Sequence, residues 1–131
     1  MLKPIATQLS TFQITQSGVP CTAISITSLS FSTKLFINLS PIMISPGTVT
    51  IVGLISVEGY VQIPAIIISA NIQASSTKLY NNFFGVIKEG DYGTFIMPPG
   101  SMINPGGTPN PNPIEFKVEV LNAGQTKVYL D

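Results

Sequence analysis

The chain is predicted to be all-β, an antiparallel two-sheet sandwich built as a single jelly roll, with an immunoglobulin-like sandwich as the alternative. Three observations predict it. Apolar or β-branched residues alternate with Ser, Thr, Asn and Lys along most of the 131 residues; turn formers, 11 Gly and 11 Pro, recur every several positions; and no segment keeps a helical period. An immunoglobulin domain usually carries a Cys, Trp, Cys signature, whereas this chain has one Cys and no Trp. A chain of 13.9 kDa is large enough to bury a core without disulfides, so one domain over 1–131 is expected.

The first strand expected is Thr11–Gln16, with Phe12 and Ile14 on one face, ended by the turn Ser17-Gly18-Val19-Pro20. From Cys21 to Leu39 the alternation changes phase: Ile24 and Ile26 share one parity, and Leu29, Phe31, Thr33, Leu35, Ile37 and Leu39 take the other. Side chains in a strand have period two, so the slip near Thr27-Ser28 means a bulge or a tight turn, giving two strands or one bent one. Pro41 and the turn Ser45-Pro46-Gly47-Thr48 bracket a short segment Ile42-Met43-Ile44.

Thr48–Val57 and Tyr60–Ala70 are so apolar on both parities that they read as central strands covered on both faces, with Val57-Glu58-Gly59-Tyr60 turning between them. Asn71–Thr77 reads as a polar connection, Lys78–Lys88 as a strand or a pair, and Glu89-Gly90-Asp91-Tyr92-Gly93 as a turn before a strand Thr94–Met97. The stretch Asn104–Pro113 holds four Pro and no aliphatic side chain. It is expected to be an exposed loop that neither joins a ladder nor buries itself. Ile114, Phe116, Val118 and Val120 alternate with Glu115, Lys117 and Glu119, the pattern of a strand with one face buried. Asn122-Ala123-Gly124-Gln125 then reads as a hairpin turn into a strand Thr126–Leu130.

Composition narrows function by exclusion. With no His, Ser-His-Asp and Cys-His arrangements and imidazole metal sites are ruled out. Six Lys and no Arg, balanced by six carboxylates, give a net charge of zero and argue against a nucleic-acid binder, whose affinity comes from clustered cations. Only 9% of residues are charged, so part of the surface is expected to be covered by neighbours. Cys21 has no disulfide partner within the chain and reads as a small buried hydrophobe. No apolar leader is visible at the N-terminus, and the apolar stretch 51–70 is interrupted by Glu58 and Pro64, so no membrane span is expected.

The remaining chemistry is sparse. Glu89 and Asp91, with Asn81 or Asn82, could offer oxygens to Ca²⁺, but two carboxylates in a Gly-flanked turn more often only solvate it, and no EF-hand spacing is present. Glu115 and Glu119, with Lys117 between them, form the ordinary polar face of a half-exposed strand. Gly106-Gly107 lacks the Lys-Ser/Thr and the helix of a phosphate loop. No catalytic, cofactor-binding or metal-ligating residue is assigned.

Ile66-Ile67-Ile68-Ser69-Ala70-Asn71 runs an apolar strand into a polar connection, and Gly90-Asp91-Tyr92-Gly93-Thr94-Phe95-Ile96-Met97-Pro98-Pro99-Gly100-Ser101 follows as a glycine turn and a proline-terminated strand. This order, over residues 50–105, resembles the small single-jelly-roll capsid proteins of tailless viruses with an internal membrane, their penton and minor capsid proteins above all. The resemblance implies assembly, as five copies around a vertex or as copies bridging a major capsid protein, and no catalysis.

The functional expectation is therefore a non-enzymatic virion protein, made in the host cytoplasm, that joins copies of itself or a major capsid protein without cofactor, nucleic acid or direct membrane span. Subunit contacts are expected in three places. They are an extended arm over 1–10 (Met1, Leu2, Lys3, Pro4), the loop 104–113 (Asn104, Pro105, Pro109, Pro111, Pro113) and the C-terminal strand (Tyr129, Asp131). The alternatives are an extracellular filament subunit that uses strand addition and a ligand-binding adhesive module.

Overall fold

The computed structural model describes residues 3–28, 31–37, 39–45, 47–63, 68–75, 80–81, 84–126 and 128–130. Fifteen strands follow in order: β1 Lys3–Pro4, β2 Thr11–Gln16, β3 Val19–Cys21, β4 Ser25–Ser28, β5 Phe31–Ile37, β6 Ser40–Met43, β7 Gly47–Val52, β8 Val61–Gln62, β9 Ile68–Ile72, β10 Tyr80–Asn81, β11 Phe84–Gly85, β12 Tyr92–Met97, β13 Met102–Ile103, β14 Ile114–Asn122 and β15 Tyr129–Leu130. Every pairing among them is antiparallel. The all-β antiparallel class is thus the one that forms, and among the described residues no helix is long and apolar enough to cross a membrane.

Two sheets enclose the core. One has the order β12-β14-β2-β3 and the other β4-β7-β9. Ile14, Phe95, Met97, Phe116, Val118 and Val120 of the first sheet pack with Val49, Ile51, Ala70 and Ile72 of the second. The period of two makes this happen: in β14, Phe116, Val118 and Val120 are buried while Glu115, Lys117 and Glu119 stay outside. The Phe95 and Phe116 rings stack at 5.4 Å between centroids, 17° from parallel.

Ser17 and Gly18 both have positive φ, 51° and 81°. That matches the two-residue hairpin turn whose twist suits its flanking strands. The turn expected over 17–20 is therefore only two residues long, and Val19–Cys21 pairs back on β2. The phase slip near Thr27-Ser28 separates two strands in different sheets: β4 pairs with β7, and β5 pairs with β6. Leu39, expected to share a face with Leu35 and Ile37, sits at the β5–β6 turn with φ 67° and is 95% exposed.

The two apolar runs expected to be covered on both faces are not. β7 buries Gly47, Val49 and Ile51, leaves Thr48 and Thr50 half-buried, and exposes Val52. The run 60–70 divides into β8 and β9, which join different sheets; residues 64–67 lie outside the described part. Asn71 and Ile72, expected in a connection, complete β9, and Tyr92 and Gly93, expected in a turn, begin β12. Lys78–Lys88 does hold a pair, β10 with β11.

At one end of the sandwich a smaller layer forms around residues 3–8. Ile5 donates to the Val128 carbonyl at 3.0 Å, Ala6 to Ile87 at 2.9 Å, Thr7 to Ala123 at 3.1 Å and Gln8 to Pro41 at 3.0 Å. Ile5, Ala6 and Thr7 are buried, and Ile5 packs with Ile42 and Val86 in a satellite core. From Lys3 onward the expected extended arm is instead part of the fold, because an apolar Ile5-Ala6 pair gains more from this burial than from solvent. The C-terminal strand does not fold back on β14 as a hairpin either; β15 pairs with β1, Lys3 opposite Leu130 and Pro4 opposite Tyr129.

The loop 104–113 corrects a further expectation. Most of it is exposed, but Asn110 is 2% exposed and ties the loop down. Its side-chain oxygen accepts from the Met102 amide at 2.9 Å, and its side-chain amide donates to Pro98 at 3.1 Å and Asn112 at 2.8 Å. Its backbone exchanges hydrogen bonds with Met102 and Gly100, and Pro109 bridges to Ile103. Asn110→Ala is expected to lower stability by about 2 kcal/mol, since it leaves the buried Met102 amide without the Asn110 oxygen and releases the loop from Pro98 and Asn112. A urea titration checks this, and limited proteolysis should then cut between Pro105 and Pro113.

Candidate functional site

Five short segments lie side by side and form a narrow ribbon. Thr22 pairs with Ile55, Ile55 with Val61, Val61 with Ile103, and Ile103 with Pro109. Directly opposed residues of neighbouring strands point to the same face, so these five side chains make one cross-strand row. All five are exposed: Ile55 by 40%, Val61 by 43% and Ile103 by 36%. The opposite face of the ribbon buries Leu54, Ser56, Gln62, Met102 and Asn110.

The ribbon is held rigidly from that buried side. The Gln62 side chain accepts from the Leu54 amide at 3.1 Å and donates to the Ile51 carbonyl at 3.1 Å, satisfying backbone groups where β7 ends. Gly53, with φ 71°, makes the bend that turns Ile55 outward. Ile24 lies over this glycine and is 83% exposed; a Cβ at position 53 would stand 2.4 Å from its side chain. Ile24 therefore extends the row. The segments that build this face, 19–28, 51–56, 61–63 and 101–113, contain no Lys, Asp or Glu.

Of the residues expected at subunit contacts, Pro109 ends this row, and Asn104, Pro105, Pro111 and Pro113 lie in the same loop. Lys3, Pro4 and Tyr129 come together elsewhere, in the β1–β15 pair. Met1, Leu2 and Asp131 lie outside the described residues. Sequence reasoning missed Ile55 and Val61, which stand in runs that read as core, and also Ile24 and Ile103, which lie outside those runs. The signal was present in Gly53 and in the turn at Glu58-Gly59, where an apolar run must bend and change face.

The turn at Glu58 is anchored by Gln16, whose side-chain amide donates to both carboxylate oxygens at 3.0 and 3.2 Å and whose oxygen accepts from the Val57 amide at 2.8 Å. The hydrogen bond from Gln16 is the main reason that the Glu58 carboxyl is held below the usual carboxylate range. A carboxylate with a lowered folded pKa stabilises the fold above its unfolded pKa, and that contribution is lost as pH falls through the folded value. Titration by carboxyl NMR is expected to show this lowered midpoint, and Gln16→Ala should move it back up. Cys21, expected to be buried, is half-buried against the core, and desolvation pushes its thiol pKa up.

A second concavity, about 860 Å³, opens between β9 and β12 and is lined by Asn71, Gln73, Ser75, Lys88 and Tyr92 among others. Asp91, one of the two carboxylates weighed as Ca²⁺ ligands, is buried there. It accepts from the Lys88 amide at 3.0 Å and from Ser75, whose amide and hydroxyl both donate to it, and the Lys88 ammonium lies 3.5 Å away. A cation bound to Asp91 would have to displace Lys88. Among the described residues no three His, Cys, Asp or Glu side chains gather in a metal-binding group. On the outer face of β14, Lys117 lies 4.0 Å from Glu119 and 4.5 Å from the Tyr92 ring centre, the polar strand face that the alternation describes.

Comparison of the chain with protein-family models, with characterised proteins and with solved structures gives no match.

Proposed function

We propose that this protein is a non-enzymatic structural subunit of a virus particle, a penton or minor capsid protein that assembles with copies of itself and with a major capsid protein. The observation that carries this reading is the surface on which the aliphatic side chains of Ile24, Ile55, Val61 and Ile103 stand exposed close together. A free monomer gains nothing from such a row, whereas burial of each of these side chains in an interface contributes on the order of 1 kcal/mol. The jelly-roll connectivity belongs to the same proposal, supported by β2 lying beside β14, so that the earliest strand of that sheet adjoins its latest.

The filament alternative needs a strand edge open to donation. Here Pro4 sits in β1, Pro20 in β3 and Pro41 in β6, each removing an amide from a short strand. The adhesive alternative is favoured only by the polar concavity beside Asp91, and a Ca²⁺-dependent rise in melting temperature would be its mark. The capsid reading is tested by native mass measurement and electron microscopy of the purified protein, and by its presence in particles from its source. A defined oligomer that is recovered in particles is expected. A strict monomer that joins no particle would overturn the reading.

A further inference from the structure

We propose that the groove between β9 and β12 is a binding site for a neutral saccharide unit, held by the side-chain amides of Asn71 and Gln73 and by the Tyr92 ring. This site goes beyond the capsid reading and does not depend on it.

Three observations lead to this ligand class. The first is shape. The groove measures about 860 Å³, inside the range of about 300–1,000 Å³ that small-ligand sites occupy. Its floor is buried at Ala70 and Gly93, and Gly93 lets the β12 backbone lie against the Asn71 carbonyl. The Gln73 amide donates to the Tyr92 carbonyl at 3.3 Å across the same seam. The two edge strands are thus joined to each other there rather than open to strand addition by a peptide. A floor fixed in this way is preformed, so binding orders little that is not already ordered.

The second is charge. Two cations, Lys3 and Lys88, and two carboxylates, Glu89 and Asp91, line the groove, so it selects neither sign of ligand. Lys88 and Asp91 lie 3.5 Å apart and satisfy each other, and the Ser75 hydroxyl is bonded to both. The sheet that leads up to the groove carries no charge: β4, β7 and β9 contain no Lys, Asp or Glu. On its outer face Thr27, Thr50 and Ser69 stand opposite one another in one row, and Thr48 and Asn71 in the next. Hydroxyls and amides without charge match a ligand that is itself polar and neutral.

The third is hydrogen bonding. The Asn71 side-chain oxygen accepts from the Thr48 hydroxyl at 2.9 Å, and the Gln73 side-chain oxygen accepts from the Ser45 hydroxyl at 3.3 Å. Each amide is therefore oriented by a second side chain and keeps its NH2 group to donate to a ligand. Asn71 and Gln73 are two residues apart and exposed on one face, as are Tyr92 and Thr94 on the other strand. Lys117, which does not line the groove, lies 4.5 Å from the Tyr92 ring centre and braces the ring. A saccharide unit suits this set: its hydroxyls accept from the two amides and exchange hydrogen bonds with Thr94, and its C–H face packs on the aromatic ring.

The test is an NMR titration of the isotope-labelled full chain with a panel of neutral mono- and disaccharides built from glucose, galactose, mannose and N-acetylglucosamine. Inorganic phosphate and sialic acid are run beside them. At least one neutral sugar is expected to shift the amide signals of residues 71–75 and 92–94 saturably in the millimolar range. Tyr92→Ala should weaken that binding about tenfold and Gln73→Ala about fivefold, with the melting temperature of each variant measured alongside. Tyr92→Phe, which keeps the ring, should retain it. If Tyr92→Ala does not fold, Gln73→Ala reports on the same site, because Gln73 is exposed just beyond the end of β9. Three results overturn the inference: no saturable shift with any neutral sugar, saturation by phosphate or sialic acid alone, or sugar binding indifferent to the variants that fold. Each of these leaves the capsid reading standing, and absence of the protein from particles would leave the saccharide site standing.

Discussion

Gly93→Ala is expected to be among the most damaging single changes in this protein. At Gly93, β12 passes so close to β9 that a Cβ would stand 1.9 Å from the Asn71 carbonyl oxygen. That neighbour is backbone, which no rotamer change can move. The same crossing is closed by the Gln73 amide donating to the Tyr92 carbonyl at 3.3 Å, so forcing the strands apart also breaks the seam between the two sheets. Overpacking of this kind costs about 3 kcal/mol or more, and a melting temperature lower by roughly 10 °C follows for a domain of this size. Gly100→Ala is the control, since Gly100 has φ 81° but no neighbour within 4 Å. It should lose only the backbone term of about 1–2 kcal/mol. Equal melting temperatures for Gly93→Ala and the wild type would show that the strands do not approach as described.

Phe116→Ala should cost a comparable amount by the opposite route, since it empties the core. Phe116 is 1% exposed and stacks on Phe95, its register partner across β12 and β14. Removing a buried phenyl ring typically costs 3–5 kcal/mol, the spread reflecting how far the walls collapse. Here the walls are two hydrogen-bonded sheets, which resist collapse, so a loss of about 4 kcal/mol is expected in urea titration. A double-mutant cycle with Phe95→Ala should return a coupling of about 1 kcal/mol from the stacked pair. A coupling near zero would mean that the two rings contribute only through burial.

Much of this fold is legible in the sequence wherever one face of a strand meets solvent. The expected strand Thr11–Gln16 forms with those bounds, and β14 shows the alternation of Phe116, Val118 and Val120 against three charged residues. Legibility fails where the alternation does. In the run 60–70, and from Ile51 to Ile55, apolar residues fall on both parities, so the pattern there carries no phase and cannot reveal that Gly53 turns Ile55 outward or that β8 and β9 belong to different sheets. Ile55 and Val61 were hidden for that reason, because they look like core. Asn110 was hidden by its setting, a polar residue among prolines whose side chain nonetheless carries three hydrogen bonds from a buried position. The partner of β15 was out of reach for another reason: a hairpin is a local inference, and β1 lies at the other end of the chain.

That last pairing sets the order in which the molecule can be made. Ile5, Ala6 and Thr7 meet β6 early in synthesis, through Met43 donating to the Ala6 carbonyl and Gln8 donating to Pro41, but the rest of their slot is walled by residues 87–89, 123 and 128, which emerge far later. Closing a loop of that length is a late and slow step in folding. During synthesis residues 5–7 therefore hold only part of their pairing, and the final closure waits for Tyr129 and Leu130. Chains that stop short of Tyr129 lack that closure and leave the segment without its last partner strand, the state in which cellular quality control would meet them.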